Sequence, residues 1–399
     1  MLEYRHLERY ADVLLWGLST SRKGRMKKGE IFLVRGHLPA IALVEILYAR
    51  LLEMGMHPIV RVEPTSTMEN DFYTRSSVRQ RIFHAPGDRE CFKALNGSIF
   101  VHAPESITHL KNVDPRRIAR VMVARKAYRD ILTAREEAGL FSWTLCSYPT
   151  PVLAETAGLS REHYARQVIR ACFLNRSDPV AHWRQVHRQV YRIKRSLDRL
   201  PVRFFHIASA HIDLEVVPGA SRRWLGVSGR NIPSFEVFIS PDWRGTRGVY
   251  TADQPSFRSG NRVRGVRLEF RNGNAVNISA EEGEDFVRRQ LAMDSGARRL
   301  GEFSLTDRRF SRIDEFMANT LYDENYGGRY GNCHVALGAA YSDAYTGDSK
   351  TLTKARKTAL GFNDSALHWD LVNTEKKRVV AHLSGGGRQT IYENGVFTI

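Results

Sequence analysis

Four segments in the second half of this 399-residue chain carry residues of the types that bind metal ions. Glu236 follows a proline turn in NIPSFEVF, and Glu302 lies in LGEFSL, where it alternates with Phe303 and Leu305. Alternation with period two is typical of a strand and turns Glu302 to the face opposite those apolar side chains. A carboxylate in an otherwise apolar strand needs a partner, so Glu302 is a candidate ligand.

The other two segments contain histidines. His334 begins HVALGAAY, and its spacing from Tyr341 predicts a helix of small residues that carries both side chains on nearly the same face. In NDSALHWD, His368 and Asp370 are two residues apart. On a strand both side chains would point the same way, which makes a compact metal-binding pair.

Taken together, these residues have the chemistry of a site for two divalent ions. They supply carboxylate, imidazole and phenol groups and no thiolate, as expected of a hydrolytic rather than a structural zinc site. The candidate ligands are Glu236, Glu302, His334, Tyr341, His368 and Asp370.

The same four segments resemble peptidase family M29, the thermophilic-type metalloaminopeptidases of the aminopeptidase T and aminopeptidase S group. All six candidate ligands match the metal-site residues of that family in order and context. The resemblance covers the second half of the chain and, more loosely, the first half. It implies a two-domain fold, a pair of divalent ions (zinc, cobalt or magnesium) as cofactors, a homodimer, and a peptide substrate with a free N-terminus.

From this resemblance we expect a metalloaminopeptidase that hydrolyses the N-terminal peptide bond through a water activated by the dinuclear site. Glu302 is the first candidate for the catalytic base, and Glu236 is the alternative. Tyr341 either ligates a metal ion or donates a hydrogen bond to the tetrahedral oxyanion.

Two other functions compete with this hypothesis. His334, His368 and Asp370 alone would satisfy the mononuclear iron(II) site of a ring-cleaving dioxygenase, although the presence of both Glu236 and Glu302 favours two metals. The net charge of +17 also fits an inactive peptidase-like protein that binds nucleic acid. Against that, the basic residues are dispersed along the chain and form no single block, which is typical of a solvated surface.

Composition and length indicate a globular protein with more than one domain. Hydrophobic residues make up 42% of the chain and charged residues 26%, and the length exceeds that of one ordinary core. No apolar stretch approaches the roughly 20 residues that span a bilayer, and the N-terminal sequence lacks an apolar signal core. We therefore expect a cytoplasmic protein with no membrane partner. The four cysteines are far apart, so we expect reduced, structural thiols, with Cys333 beside His334 the one to examine for reactivity.

In the first half, short apolar runs alternate with helical periodicity. The runs at 30–34 and 59–62 flank a periodic segment at 38–54, and this alternation continues to about residue 146. The pattern predicts an α/β N-terminal domain with a mainly parallel sheet over residues 1–200. It contains no GxGxxG and no GxxxxGK[ST] motif, so nucleotide binding has no motif to support it.

The second half is expected to have a different architecture. A periodic helix begins at Asp178 and ends before Pro201, and extended runs follow it. Asn272-Gly273 and Asn394-Gly395 are each flanked by such runs, which is a strong hairpin signal. We therefore predict a mixed α+β C-terminal domain at residues 201–399 that holds the metal site.

Overall fold

A computed structural model gives the fold of the chain and describes residues 2–348 and 351–399. The α-helices are α1 (Tyr4–Thr20), α2 (Ile41–Glu53), α3 (Ser66–Arg75), α4 (Val78–Arg81), α5 (Asp88–Ala94), α6 (Pro115–Ala124), α7 (Lys126–Glu137), α8 (Pro151–Thr156), α9 (Arg161–Ala171), α10 (Pro179–Arg199), α11 (Glu284–Leu291), α12 (Thr320–Asp323) and α13 (Lys354–Ala359). The strands are β1 (Ile31–Gly36), β2 (His57–Val62), β3 (Gly97–His102), β4 (Ser142–Ser147), β5 (Val202–Ala208), β6 (Asp213–Val217), β7 (Asn231–Ile232), β8 (Glu236–Ile239), β9 (Asp242–Thr251), β10 (Ser256–Arg258), β11 (Asn261–Val263), β12 (Arg267–Arg271), β13 (Asn274–Ser279), β14 (Leu300–Thr306), β15 (Asn332–Gly338), β16 (His368–Asn373), β17 (Arg378–Leu383), β18 (Arg388–Glu393) and β19 (Val396–Phe397).

The chain divides into two compact units. One comprises Met1–His182 and Ser228–Pro233, and the other comprises Trp183–Val227 and Ser234–Ile399. Residue 200, near which the sequence predicts the domain boundary, follows the C-terminal end of α10 and belongs to the second unit.

A parallel sheet forms the core of the first unit. Its strand order is β2-β1-β3-β4-β7, and every neighbouring pair is parallel. Apolar side chains of β1 and β3 are buried, and α1 contributes Leu14 and Leu18 to the same interior. Tyr10 of α1 donates to the carbonyl of Ser147 at the end of β4, 3.1 Å away. The expected α/β architecture with a mainly parallel sheet is confirmed.

Helix α10 has the start and the apolar stripe that its sequence predicts. A carboxylate oxygen of Asp178 accepts from the backbone N–H of Ala181 at 2.8 Å, which caps the first turn. Trp183, the first large side chain of the stripe, is fully buried and stacks on Phe235 with 5.0 Å between ring centroids. The rest of the stripe is buried at Val186, Val190, Ile193 and Leu197.

The second unit contains an eight-stranded antiparallel sheet of order β13-β12-β9-β6-β5-β17-β18-β19. Both predicted hairpins are present in it. Asn272 and Gly273 have positive φ between β12 and β13, and Asn394 and Gly395 have positive φ between β18 and β19. Two consecutive positive φ angles suit the right-handed twist of the flanking strands, and Asn-Gly tolerates them. The mixed architecture expected for the second half is confirmed.

A second antiparallel sheet in the same unit, of order β16-β15-β14-β8, corrects one prediction. The segment HVALGAAY is not a helix, because His334 to Gly338 belong to strand β15. All residues of β15 are buried, as are those of its neighbour β14. A strand covered on both faces shows no apolar alternation, so its run of small residues has the same appearance as a buried helix. Gly338, with φ of +104°, ends the strand.

Within the described part of the chain, no helix is both long enough and apolar enough to cross a membrane. Cys91, Cys146, Cys172 and Cys333 form no disulfide. Burial raises the pKa of the Cys333 thiol to about 11. Its side chain alternates with that of His334 and lies on the opposite face of the sheet, which argues against a reactive thiolate at this position.

Candidate metal centre

The four-stranded sheet places the predicted ligands on one face. Glu302 lies opposite Ala336, which in turn lies opposite Asp370, so these three side chains form one row across the sheet. His334 is two residues from Ala336, and His368 is two residues from Asp370, so both histidines share that face.

The fourth strand, β8, completes the arrangement. Its first residue, Glu236, pairs with Thr306, which is four residues beyond Glu302 on β14 and therefore on the same face. Ser304, between them, is opposite His334. Side chains from four strands that are distant in sequence thus meet because antiparallel pairing brings alternate residues of each strand to one surface.

A buried group of three residues lies at the centre of this face. Nε2 of His334 is 3.2 Å from Oε1 of Glu302 and 3.4 Å from Oε2 of Glu236. Each residue offers one ligand atom, and the three atoms lie within 4.8 Å of one another. His334 is fully buried, Glu302 is 3% exposed and Glu236 is 7% exposed. Two carboxylates and an imidazole held together in the interior are a donor set for a divalent cation.

His368 and Asp370 form a second group beside the first. Nε2 of His368 is 3.5 Å from Oδ1 of Asp370 and 3.9 Å from Oε2 of Glu302. The other ring nitrogen, Nδ1, is 2.9 Å from the carbonyl oxygen of Ala339. Glu302 therefore has one carboxylate oxygen toward His334 and the other toward His368.

Tyr341 reaches the site from the loop after β15, and not from the predicted helix. Its hydroxyl is 3.3 Å from Nε2 of His368, and its ring packs edge-on against the imidazole. The backbone N–H of Tyr341 donates to Oγ of Ser240 at 2.8 Å, which fixes the loop against β8 and its extension. All six predicted residues consequently lie in one connected cluster, with Tyr341 at its exposed margin.

Burial or neighbouring carboxylates raise the pKa values of Glu302, His334 and His368, which favours their protonated forms. Burial raises the pKa of Glu302 to about 7, and the charge of Glu236 adds to this effect. Burial alone would lower the pKa of His334, but its hydrogen bonds to Glu236 and Glu302 raise it well above its usual value. Burial also disfavours the charged form of His368, but the nearby charges of Asp370 and Glu302 outweigh it and raise its pKa to about 9. Positive charge is thus favoured at the positions where a divalent ion would be ligated.

An orphaned polar atom gives a second indication that these residues fit a bound ion and its water. The hydroxyl oxygen of Ser304 is buried on the site face and has no hydrogen-bond partner among the described residues. Buried hydroxyls usually have a partner in the protein or in ordered water. A water bound to a cation would supply that partner, so this atom and the oxygen and nitrogen donors around it fit a hydrated cation.

One acidic residue of the cluster is absent from the sequence prediction. Glu324 follows α12 and is 8% exposed. Burial, together with the nearby charges of Glu236 and Asp370, raises its pKa well above its usual value. Its backbone carbonyl accepts from the side chains of Thr306 and Asn332, which ties the turn to β14 and β15. The signal in the sequence was the acidic pair at 323–324 at the start of the segment that also contains His334.

Comparisons with known proteins identify similar chains. A family model described as thermophilic metalloprotease (M29) matches residues 4–397. The chain is 31% identical over 326 residues to aminopeptidase 2 of Geobacillus stearothermophilus, covering 76% of each chain. It is 30% identical over 309 residues to aminopeptidase T of Thermus aquaticus, covering 73% of this chain and 74% of that protein.

The fold also has a counterpart among solved structures. The wild-type AmpT structure from Thermus thermophilus superposes with a TM-score of 0.76, at 24% identity, and the match covers 99% of each chain. At this identity the likeness shows the fold alone.

Proposed function

Because the chain belongs to the thermophilic metalloprotease family M29 and is thus a metalloaminopeptidase, we propose that it removes N-terminal residues from peptides with a dinuclear metal centre. The proposed ligand residues are the six of the cluster, Glu236, Glu302, His334, Tyr341, His368 and Asp370.

The position of Glu302 is the observation that carries the two-ion proposal. Its Oε1 faces Nε2 of His334 and its Oε2 faces Nε2 of His368. We propose one ion on the His334 side, with Glu236, and one on the His368 side, with Asp370, and that both share Glu302.

Charge balance supports the same number of ions. The cluster contains four carboxylates, namely Glu324 and the three acidic ligands. Burying that much negative charge without cations is strongly unfavourable. Two divalent ions would offset it and leave both imidazoles neutral, which is the form that ligates metal.

Bound divalent ions would lower the pKa of a water and polarise the scissile carbonyl. The protein must then accept the proton that this water loses. We propose Glu302 for this role, with Glu236 as the alternative. If both oxygens of Glu302 are occupied as ligands, Glu324 is the remaining carboxylate of the cluster that can accept the proton. The hydroxyl of Tyr341, at the exposed margin, is placed to ligate or to donate to the oxyanion.

The finer features of the proposal rest on the donor set and on the family resemblance. Oxygen and imidazole donors without thiolate suit zinc, cobalt or magnesium. The same proposal includes a homodimer and a cytoplasmic location. Cysteines that form no disulfides are consistent with that location.

The dioxygenase and nucleic-acid hypotheses have less support. A mononuclear iron site would use His334, His368 and Asp370, and would leave Glu236 and Glu302 buried against His334 without a role. Both relatives compared above are named aminopeptidases. The positive charge is the only argument for nucleic-acid binding. Salt-dependent binding of labelled DNA or RNA at near-physiological ionic strength would support that hypothesis.

Metal-titrated activity of the chelated protein tests the proposal. We expect activity on aminoacyl anilides to return with zinc, cobalt or magnesium and to saturate at two ions per chain. Metal analysis of the purified protein gives an independent count. One iron per chain without anilide hydrolysis would contradict the proposal and favour the oxygenase.

A further inference from the structure

Helices α4 and α6 of the first unit have large apolar side chains that face solvent. Phe83, two residues after the end of α4, is 69% exposed, and Val123 of α6 is 73% exposed. Their neighbours Ile82 and Met122 are exposed as well. Single exposed apolar residues are common on protein surfaces, but a group of them on neighbouring elements marks an interaction surface.

Direct contacts bring these elements together. Helices α4 and α6 contact each other. Nδ1 of His84, the residue after Phe83, is 2.7 Å from the hydroxyl oxygen of Tyr128 on α7. The next residue, Arg129, donates from Nη2 to the backbone carbonyl oxygen of Met122 at 3.3 Å. The exposed residues after α4 and those at the end of α6 therefore lie around the same junction and belong to one surface.

The same surface is strongly basic. Residues 78–83 and 114–126 contain seven basic residues and one acidic residue. Four of the basic residues are exposed arginines, namely Arg79, Arg116, Arg120 and Arg125. In the part of the chain that the structure describes, none of these four forms an ion pair, whereas Lys126 beside them is paired with Asp130 at 2.6 Å. The α4–α6 surface, made of these four arginines and the apolar residues 82–83 and 122–123, thus combines unpaired positive charge with exposed apolar groups.

We propose that the α4–α6 surface binds peripherally to membranes that contain anionic lipid. Arginines attract the negative headgroups, and exposed apolar side chains enter the boundary between headgroups and acyl chains. Met122 and Val123 lie between Arg120 and Arg125 in the sequence, so one helix end provides both kinds of contact. Binding of this kind needs no spanning helix. It departs from the sequence-based expectation of no membrane partner, which rested on the lack of a spanning segment.

Two other partners fit this surface less well. A second copy in a two-fold dimer would place the α4–α6 surface against itself, and the arginines of the two copies would repel each other. Nucleic acid would attract the arginines through its phosphates, but it would leave the exposed side chains of Phe83 and Val123 without an apolar environment. An anionic bilayer supplies both the negative charge and the apolar environment.

Co-sedimentation with lipid vesicles tests the proposal. The vesicles contain either phosphatidylcholine alone or an equimolar mixture of phosphatidylcholine and phosphatidylglycerol. The proteins are the wild type and three double variants, namely Arg116→Gln with Arg120→Gln, Met122→Ser with Val123→Ser, and the control Arg262→Gln with Arg264→Gln. The control arginines are exposed in the second unit and pair with Glu282 and Glu281. The control therefore loses the same number of positive charges at a place outside the α4–α6 surface.

We expect the wild type to bind the mixed vesicles at least about 10-fold more tightly than phosphatidylcholine vesicles, with an affinity that falls as salt is added. The variant of Arg116 and Arg120 should lose about 10- to 30-fold in affinity, because each basic residue near an anionic surface contributes about 5-fold. The variant of Met122 and Val123 should also bind the mixed vesicles about 5-fold or more weakly, although its charge is unchanged. The control should stay within about 2-fold of the wild type.

Several results would overturn the proposal. They are no binding to the mixed vesicles, equal binding to both kinds of vesicle, an equal loss of affinity in the control, or wild-type affinity in the variant of Met122 and Val123. Labelled RNA that binds through Arg116 and Arg120 in a protein that ignores the vesicles would assign the surface to nucleic acid instead. Thermal unfolding shows whether each variant is folded. If the variant of Arg116 and Arg120 is not, Arg79→Gln with Arg125→Gln takes its place with the same expected loss.

Discussion

Nδ1 of His368 lies 2.9 Å from the backbone carbonyl oxygen of Ala339. A carbonyl can only accept, so Nδ1 carries a proton, and in the neutral ring Nε2 presents its lone pair to the site. Backbone partners of this kind fix the tautomer of a metal-binding histidine. The ring of His368 is therefore oriented as a ligand by the fold itself.

We predict that metal affinity rises with pH from neutrality to about pH 9. Burial disfavours charge on His368, yet Asp370 and Glu302 raise its pKa to about 9. Because only the neutral ring ligates, an ion must displace its proton. Competition with a chelator across this pH range, with calorimetry in two buffers of different ionisation enthalpy, would measure both affinity and proton release. Binding without proton release at pH 7 would contradict the prediction.

The same raised pKa predicts that the metal-free protein becomes less stable as pH rises. The ordinary pKa of His368 is 6.5, so its contribution to the free energy of unfolding is fully present below that pH and is lost toward pH 9. Glu302, whose pKa burial raises to about 7, acts in the same direction at lower pH. Urea unfolding of the chelated protein at several pH values would measure this trend, and the metal-loaded protein serves as the control.

Glu302→Gln should fold, retain at least one metal ion and lose most of its turnover. An amide cannot accept a proton from water, and loss of a general base typically costs about 10²- to 10⁴-fold in rate. Steady-state kinetics and metal analysis of Glu302→Gln, Glu236→Gln and Glu324→Gln would locate the base. Near-normal turnover of Glu302→Gln, together with a large loss in one of the others, would transfer the role to that residue.

N-terminal acetylation should make a peptide a very poor substrate. If the free α-amine is bound by an ion or by a carboxylate of the cluster, the acetyl group removes both its lone pair and its charge. Hydrolysis of matched free and acetylated peptides by the metal-loaded protein can be followed by mass spectrometry. Comparable rates for the two would exclude an aminopeptidase even with a confirmed dinuclear site.

Gly301→Ala should destabilise the protein by about 1–3 kcal/mol and weaken metal binding. A Cβ at Gly301 would collide with the carbonyl oxygens of Gly338 and Ala339, and these backbone atoms cannot rotate away. Since the Ala339 carbonyl also holds His368, its displacement should disturb a ligand. Thermal unfolding and metal titration would measure both effects. Gly385→Ala is the control, because nothing lies within 4 Å of the added atom, and an equal loss in it would contradict the steric explanation.

Part of the site could be predicted because the alternation of side chains between the two faces of a strand is a local property. The two-residue spacing of His368 and Asp370 is enough to place both side chains on one face, and β16 confirms that placement. Asn-Gly hairpins are similarly local, since the backbone conformation of the turn selects these residues. Glu302 was recognisable as an isolated carboxylate among apolar neighbours.

The remaining parts depend on contacts between distant segments. The segment of His334 was predicted as a helix because burial on both faces removes the alternation that identifies a strand. Glu324 lies in a turn, and only its packing against β14 and β15 makes its carboxylate part of the cluster. Arg258 ends β10 and donates to the backbone carbonyl of His368, a contact with β16 that has no local sequence signal.

The pairing order of the metal-site sheet has a consequence for folding. Its strands come from residues 236–239, 300–306, 332–338 and 368–373, and strands β9, β12 and β13 of the other antiparallel sheet lie between the first two of these segments. No contiguous stretch contains the full donor set. The unfolded chain therefore offers no complete metal site around which folding could nucleate. The chain must close these long loops before metal ligation can add to its stability. Metal capture should therefore be a late event that locks an already assembled sheet.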